Sequence, residues 1–253
     1  FRDGSRILSF EEETLVIQRA DGRRVTLGVP LPRVPLRIFS VAEGGGWIWG
    51  STIIPLTLFR YDPRTGHKEN YANPTATGGE IYSMVWASNR LFLAAYYGAH
   101  LARFDPARPW RKGPLPEDNP RFLGQMKDPP LMLHRPYGKA RDRLGRIFFS
   151  ALGGYGCEDS GISRIEPGRE TVERWLYPNT TLGPILYIER EHRILGGEVR
   201  KGESQVRFTF FSPEDGRVLE SQPMIDGTGM VTSWLYDGDD RVYGLYNQRA
   251  MLF

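Results

Sequence analysis

Short runs of apolar and aromatic residues, separated by polar turns, recur along the whole chain. Each run is flanked by Gly, Asp, Asn or Pro, so the pattern predicts strands joined by tight turns rather than helices. The clearest marker is an acidic or polar residue followed by proline at the end of an apolar run. It occurs four times, at Asp62-Pro63, Asp105-Pro106, Glu166-Pro167 and Ser212-Pro213. The spacings between these prolines are 43, 61 and 46 residues, which indicates an internal repeat.

Two further markers keep the same order in each repeat. A polar turn precedes a short aromatic or β-branched run at 47–50, 90–94, 146–150, 193–196 and 241–244. An apolar strand opens each unit at 36–41, 81–85, 137–140, 185–188 and 230–234, and fourth strands are predicted at 68–71, 171–176 and 217–221. Four antiparallel strands in about 45 residues are typical of a propeller blade. The sequence therefore predicts an all-β fold, a β-propeller of four-stranded antiparallel blades; a β-sandwich with coincidental spacing is the alternative.

The repeat covers about five to six blades, in a single domain over 1–253 with incomplete blades at both ends. Residues 6–29 predict three strands, and the chain stops within a third strand at 251–253. Exposed sheet edges invite mispairing. We therefore expect either a piece of a longer propeller of six or seven blades or unconventional pairing of the terminal strands. The chain begins at Phe1, without a Met or a signal peptide, so we expect the native N-terminus to be missing. A Pro-rich inserted loop is predicted at 106–130.

Composition narrows the class of protein. Apolar residues make up 40% of the chain and charged residues 25%, as in a globular protein. No apolar run is long enough to predict a membrane span. The net charge is only +3 and the arginines are scattered, which argues against nucleic acid as a partner. The chain has one cysteine, Cys157, and its four histidines lack ligand spacing, so no zinc site is predicted. The cofactor is unknown; a divalent cation such as calcium is considered at Glu158-Asp159.

The segments at 46–50 and 59–66, Gly-Trp-Ile-Trp-Gly and Phe-Arg-Tyr-Asp-Pro-Arg-Thr-Gly, carry a family resemblance. They resemble the repeats of streptogramin B lyase and of the gluconolactonase-like propellers. The segments at 79–84, 96–100 and 104–110 resemble uncharacterised bacterial propellers. The resemblance covers most of the chain and lies in residues that build blades, so it implies the fold more directly than an activity. The metal-binding carboxylate and Asn pattern of the lactonase group is not found here.

The richest candidate segment, 133–142, opens one of these units. In a propeller the first strand of each blade lines the central channel, and the loops at one end form the face where ligands bind. Alternate strand residues share a face, so Arg135, Tyr137 and Lys139 are expected to point together. Arginine binds carboxylates, and tyrosine or histidine can move a proton. We therefore predict His134, Arg135 and Tyr137 as catalytic residues for β-elimination on a uronate sugar. The alternative is that Arg135 pairs with a neighbouring blade and Tyr137 packs between sheets.

Further binding residues are predicted near the same face. The substrate-binding candidates are Glu80, Tyr97, His100, Lys139 and Tyr155. Tyr97 and Tyr155 lie beside glycines after second strands, where aromatic rings can stack on sugars. The sequence thus predicts recognition of a carbohydrate or other anionic small molecule, with polysaccharide lyase chemistry as the enzyme hypothesis. The competing hypothesis is a non-catalytic scaffold that grips a protein partner through the Pro-rich loop or open blade edges. A bacterial, periplasmic or secreted protein is favoured.

Overall fold

The computed structural model describes residues 3–11, 14–28, 37–128, 131–226, 229–238, 241–246 and 249–252. The chain divides into two compact units, Phe1–Arg37 and Ile38–Phe253. Every regular element in the described residues is a β-strand, which confirms the predicted all-β class. In the same residues, no helix is long and apolar enough to cross a membrane.

The smaller unit holds one three-stranded antiparallel sheet. Its strands run in chain order and match the three that the sequence predicts over 6–29, of which residues 12, 13 and 29 are not among the described residues. They are β1 (Arg6–Glu11), β2 (Thr14–Gln18) and β3 (Arg24–Gly28).

The larger unit begins with two four-stranded meanders, blades I and II. Blade I contains β4 (Arg37–Gly44), β5 (Trp47–Ile53), β6 (Leu58–Tyr61) and β7 (Lys68–Tyr71). Blade II contains β8 (Ile81–Ala87), β9 (Arg90–Ala95), β10 (His100–Phe104) and β11 (Arg121–Gln125).

Blades III to V follow in the same meander order. Blade III contains β12 (Lys127–Asp128), β13 (Leu131–Arg141), β14 (Ile147–Gly153), β15 (Ser160–Glu166) and β16 (Thr171–Tyr177). Blade IV contains β17 (Thr180–Ile188), β18 (Arg193–Arg200), β19 (Gln205–Phe211) and β20 (Val218–Asp226). The described strands of blade V are β21 (Val231–Tyr236), β22 (Val242–Tyr246) and β23 (Arg249–Leu252). The predicted strand positions 36 and 253 and the turn residues 239–240 lie outside the described residues.

The tight hairpins have the turn chemistry that the sequence predicts. Ser88 and Asn89, between β8 and β9, have φ values of 49° and 58°. Gly45 and Gly46, between β4 and β5, have φ values of 64° and 79°. Two successive left-handed residues match the twist of a two-residue hairpin, so these turns set the register of each blade.

Apolar clusters fill the spaces between neighbouring blades. Trp49, Leu58 and Met84 are fully or almost fully buried between blades I and II. Similar clusters lie between blades II and III, III and IV, and IV and V. Each large side chain buried in this way contributes about 1.5–3 kcal/mol, so blade stacking is the main source of stability.

A hydroxyl group also links consecutive blades near the first strands. Ser51 donates to the Ile81 carbonyl, Ser83 to the Pro136 carbonyl (2.9 Å) and Ser150 to the Gly183 carbonyl (2.8 Å). Each acceptor lies at an irregularity in the pairing of the first strand with the second. Such a bulge turns a backbone carbonyl out of its own ladder, where the preceding blade can reach it.

The Pro-rich insertion is shorter than the predicted 106–130. Arg121–Gln125 is β11, the fourth strand of blade II, because its backbone completes the ladder with β10. Asn119 closes the remaining loop by donating to the carbonyls of Asp105 and Arg108 at 2.8 and 2.9 Å. Trp110 anchors the loop by stacking on Tyr71, with 6.0 Å between the ring centroids. Residues 129–130 of the predicted loop lie outside the described residues.

Arginines join successive blades through the turn between their third and fourth strands. Arg103 on β10 donates to Glu170 in the turn of blade III, and Arg164 on β15 donates to the Glu214 carbonyl in the turn of blade IV. Arg146 makes two hydrogen bonds with the Glu214 carboxylate at 2.6 and 2.7 Å. The planar, bidentate guanidinium suits these contacts, so part of the arginine excess has a structural role.

Candidate functional site

Tyrosine side chains collect where the first strands of blades II and III begin. Tyr82 lies 4.8 Å from Tyr137 and 6.5 Å from Tyr96, measured between ring centroids. Tyr97 follows Tyr96 in the loop between β9 and β10, with 6.0 Å between the two rings. We call Tyr82, Tyr96, Tyr97, Tyr137 and Tyr155, together with Arg135, the tyrosine cluster.

Arg135 is held between two of these rings. Its guanidinium carbon lies 4.5 Å from the centre of the Tyr155 ring and 5.6 Å from that of Tyr96. Burial opposes its charge, but the nearby tyrosines Tyr155, Tyr137 and Tyr82 favour it and raise the Arg135 pKa above its usual value. Among the residues that the structure describes, no carboxylate forms an ion pair with Arg135. The cation is therefore positioned by aromatic faces and keeps its capacity to bind an anion.

Three aromatic rings next to Arg135 are linked by edge-to-face contacts. Phe39 of β4 meets Tyr82 edge to face at 4.9 Å, and Tyr82 meets Tyr137 in the same way. Burial, followed by the proximity of Tyr137 and Glu80, raises the pKa of Tyr82 to about 12. Tyr82 is therefore a neutral hydrogen-bonding group at physiological pH, and not a base.

His134 connects two loops of the site. The Gly98 amide donates to His134 Nδ1 at 3.3 Å, and the Tyr97 ring lies over the imidazole with 4.7 Å between centroids. A side chain at Gly154 would overlap the same imidazole, so that glycine permits the close contact. Burial, and then the charge of Arg135, lower the His134 pKa. His134 is therefore a neutral positioning group with Nδ1 occupied, which weakens its predicted role in proton transfer.

The connection between β7 and β8 supports the Tyr96-Tyr97 loop. Asn73 Oδ1 accepts from the Thr75 amide at 2.8 Å, and its Nδ2 donates to the Thr77 carbonyl. The Thr77 hydroxyl then donates to the Tyr96 carbonyl at 2.7 Å. A Cβ at Gly79 would overlap that carbonyl oxygen. This short Asn/Thr/Gly sequence fixes where Tyr96 and Tyr97 stand.

The other predicted binding residues divide between this site and other places. Tyr97 is exposed, and Tyr155 is 85% exposed, so both can contact a ligand. Glu80 lies close enough to affect Tyr82, and its backbone carbonyl accepts from the Tyr96 amide. Glu80 forms no ion pair with Arg135 in the described residues.

His100 and Lys139 do not belong to the tyrosine cluster. His100 is only 4% exposed and packs edge to face against Phe122 inside blade II, because strand alternation points it into the sheet packing. Burial lowers its pKa to about 4. Lys139 follows Tyr137 on β13, as predicted. Its side chain lines a cavity formed mainly by residues of blade I.

The proposed calcium ligands are engaged elsewhere. Asp159 accepts from the Cys157 thiol at 2.7 Å and from the Asn179 amide at 2.9 Å. Glu158 lies 3.8 Å from the ammonium of Lys201. A search of the described part of the chain finds no group of three His, Cys, Asp or Glu side chains able to hold a metal.

Sequence reasoning did not select Phe39, Tyr82 or Tyr96 as site residues. The available signal was the repeat itself: Tyr82 and Tyr137 both lie in first strands, close to a bulge. Aligning the first strands by their opening positions would have brought Tyr82 into the site together with Tyr137.

The comparisons with known proteins agree on the fold. No model of a protein family matches the chain, and no curated protein matches it. Among solved structures, it is similar to the hydrazine synthase of Kuenenia stuttgartiensis, with a TM-score of 0.64, 10% identity, and coverage of 95% of this chain and 70% of that one. The extracellular domain of the putative one component system BT4673 from B. thetaiotaomicron gives a TM-score of 0.58 and 12% identity, with 97% of this chain covered. The chain spans only 32% of that protein's length.

A nidogen/laminin complex is also similar, with a TM-score of 0.51, 10% identity, and coverage of 96% of this chain and 86% of that one. The similarities are to propeller-type folds, and together with the meander sheets they confirm the predicted β-propeller. At these identities they show the fold alone. The resemblance to streptogramin B lyase and the gluconolactonase-like group stays a prediction.

Proposed function

We propose that the protein binds a carboxylate-bearing carbohydrate, or a chemically similar small anion, at the tyrosine cluster. The observation that carries this proposal is the placement of Arg135 between Tyr96 and Tyr155 without a carboxylate partner in the described residues. Arg135 shares a side-chain hydrogen bond with Tyr82, and its other N–H groups can donate to a carboxylate. The exposed rings of Tyr97 and Tyr155 supply apolar surfaces for the C–H face of a sugar.

The competing hypothesis is a scaffold that only binds proteins. This hypothesis predicts that the polar side chains near the first strands form ion pairs and hydrogen bonds with one another. Arg103, Arg146 and Arg164 do pair with groups in neighbouring blades. Arg135 has no such pair in the described residues, and this contrast favours the ligand-binding hypothesis.

Binding can be tested with trigalacturonate as the probe, by isothermal titration calorimetry. Hydrogen bonds to charged groups contribute about 1.5–3 kcal/mol, so Arg135→Met should weaken binding by tenfold or more. Arg141→Met is the matched control, because Arg141 lies on the same strand and donates to the Trp86 carbonyl away from the cluster. The neutral trisaccharide maltotriose should bind more weakly than trigalacturonate to the unmodified protein. Equal affinities of the Arg135→Met and Arg141→Met proteins for trigalacturonate would refute the proposal.

β-Elimination is a second candidate, favoured by the position of Tyr137. Tyr137 lies close enough to Arg135 for the two groups to interact, so a uronate carboxylate bound by the guanidinium would bring the sugar ring towards the Tyr137 oxygen. In such a step the Tyr137 phenolate takes the proton from C5 of the uronate, the C4–O bond breaks, and a C4=C5 double bond forms. The leaving oxygen takes a proton from water.

New ultraviolet absorbance from polygalacturonate or alginate, lost in Tyr137→Phe, is the expected signature of this reaction. Binding of trigalacturonate without any unsaturated product from these polymers would leave binding as the function and exclude their elimination. The location of the protein, predicted to be periplasmic or secreted, remains part of this proposal.

A further inference from the structure

A cavity lies on blade I and is separate in its lining from the tyrosine cluster. Its volume is about 770 Å³, and its lining includes Val41, Glu43, Trp47, Ile48 and Arg64. Lys139 reaches it from β13 of blade III. No residue of the tyrosine cluster lines it. Ligand sites of small molecules have volumes of about 300–1,000 Å³ and a mostly apolar lining with a few polar groups.

Trp47 gives this cavity a fixed aromatic wall. The Arg60 guanidinium packs over the Trp47 ring, with its carbon 4.1 Å from the ring centre. Arg60 is itself paired with Glu69 at 2.7 Å. A ring that is held in place from the protein side loses little freedom when a flat ligand stacks against it.

Lys139 lines this cavity as a cation and has no ion pair with a carboxylate among the described residues. Solvent reaches part of the residue, yet burial lowers the pKa of its ammonium group, so the cavity walls remove some of its water. In the described residues no carboxylate forms an ion pair with it, although Glu43 also lines the cavity. The second cation, Arg64, is 3.5 Å from Asp62 and points largely to solvent. An ammonium group at the cavity wall can form an ion pair with an anion that enters the cavity.

We propose that this cavity is a second ligand site, which takes a small carboxylate with a flat apolar body, with Trp47 as the stacking wall and Lys139 as the counter-ion. The apolar side chains of Val41 and Ile48 fit the body of such a ligand better than a sugar ring rich in hydroxyls. Glu43 lies in the same lining and disfavours a second negative charge, so a monocarboxylate is expected.

The probe is 1-naphthaleneacetate, compared with the uncharged 2-(1-naphthyl)ethanol, by isothermal titration calorimetry. We expect saturable binding of the carboxylate and binding of the alcohol at least tenfold weaker. Lys139→Met should weaken binding of the carboxylate by about tenfold or more and leave the alcohol unchanged. Lys139→Arg should keep most of the preference for the carboxylate. Lys112→Met, a change at an exposed lysine in the insertion, is the matched control and should behave like the unmodified protein.

A competition arm separates this site from the tyrosine cluster. Trigalacturonate should not displace naphthaleneacetate, and failure of trigalacturonate to bind at all would affect only the function proposed above. Equal binding of the carboxylate and the alcohol, an unchanged affinity in a folded Lys139→Met protein, or displacement by trigalacturonate would each overturn the inference. Thermal unfolding of Lys139→Met, expected to match that of the unmodified protein, shows that the variant is folded.

Discussion

Glu170 accepts hydrogen bonds from three arginines of another blade, and its removal is the sharpest test of how the blades are held together. The carboxylate lies 2.8 Å from Arg90, 2.7 Å from Arg103 and 2.5 Å from Arg121. Its side chain is only 8% exposed, and that of Arg103 only 2%. Glu170→Gln keeps the shape of the side chain and removes its charge, leaving the buried Arg103 cation without a counter-charge.

The size of the effect follows from this burial. Removing one partner of a buried ion pair costs about 3–5 kcal/mol, because the other charge stays desolvated. Arg90 and Arg121 are partly exposed and add less, since solvent screens them. For a chain of this size each kcal/mol lowers the melting temperature by about 2–4 °C, so we expect a decrease of about 6–20 °C.

The assay is thermal unfolding at neutral pH, with Glu158→Gln as the matched control. The Glu158 side chain is 56% exposed and lies 3.8 Å from Lys201, so its loss should change stability by less than about 0.5 kcal/mol. A melting temperature for Glu170→Gln equal to that of the control would refute the reasoning.

Burial opposes the charge of Glu170, but the hydrogen bonds and charges of Arg103 and Arg121 outweigh it and hold its pKa below the usual value. The stability that the Glu170 charge contributes is therefore fully present above the ordinary pKa of about 4.3. It is lost as the pH falls through the lower pKa that Glu170 has in the folded protein.

Two further predictions concern His100 and Gly79. Burial lowers the His100 pKa to about 4. The free energy of unfolding should therefore decrease by about 2 kcal/mol from about pH 7 to about pH 5, because the histidine of the unfolded chain takes up a proton in this range. His100→Leu should remove that part of the acid dependence in urea unfolding, and an identical pH profile of the two proteins would contradict it. Gly79→Ala would overlap the Tyr96 carbonyl and should both destabilise the protein by about 1–3 kcal/mol and weaken trigalacturonate binding by calorimetry. Gly78→Ala, where the added carbon meets nothing within 4 Å, should do neither, and equal effects of the two changes would remove the basis for this prediction.

The strands were predictable because each blade buries its residues with a regular alternation and ends in turns of distinctive composition. Lys68–Tyr71 was predicted with its observed bounds, and the three strands of the smaller unit differ from the prediction by at most one residue at each end. β11 was missed because the strand Arg121–Gln125 follows several prolines, which hide its pattern. Its pairing with β10 comes from tertiary structure and has no local signal.

The candidate site was predictable only in part. The cluster of Arg135, Tyr137, Tyr97 and Tyr155 follows from strand periodicity and from the glycines beside the aromatic residues. The role of His134 did not follow, because its hydrogen bond to the Gly98 amide joins residues 36 positions apart. The separation of Lys139 from Arg135 had no sequence signal either, since residues on one face of a long strand can reach different cavities.

The hydroxyl-to-bulge contacts impose a rule on how this architecture can grow. Blades II and III both donate and accept one: Ser83 of blade II donates to the Pro136 carbonyl of blade III, and Ser150 of blade III donates to the Gly183 carbonyl of blade IV. A blade transplanted from another protein would therefore fit only if it brought a small hydroxyl residue and a kinked opening strand at matching heights. Designers who wish to lengthen or shorten this repeat should treat these two features as a single connector.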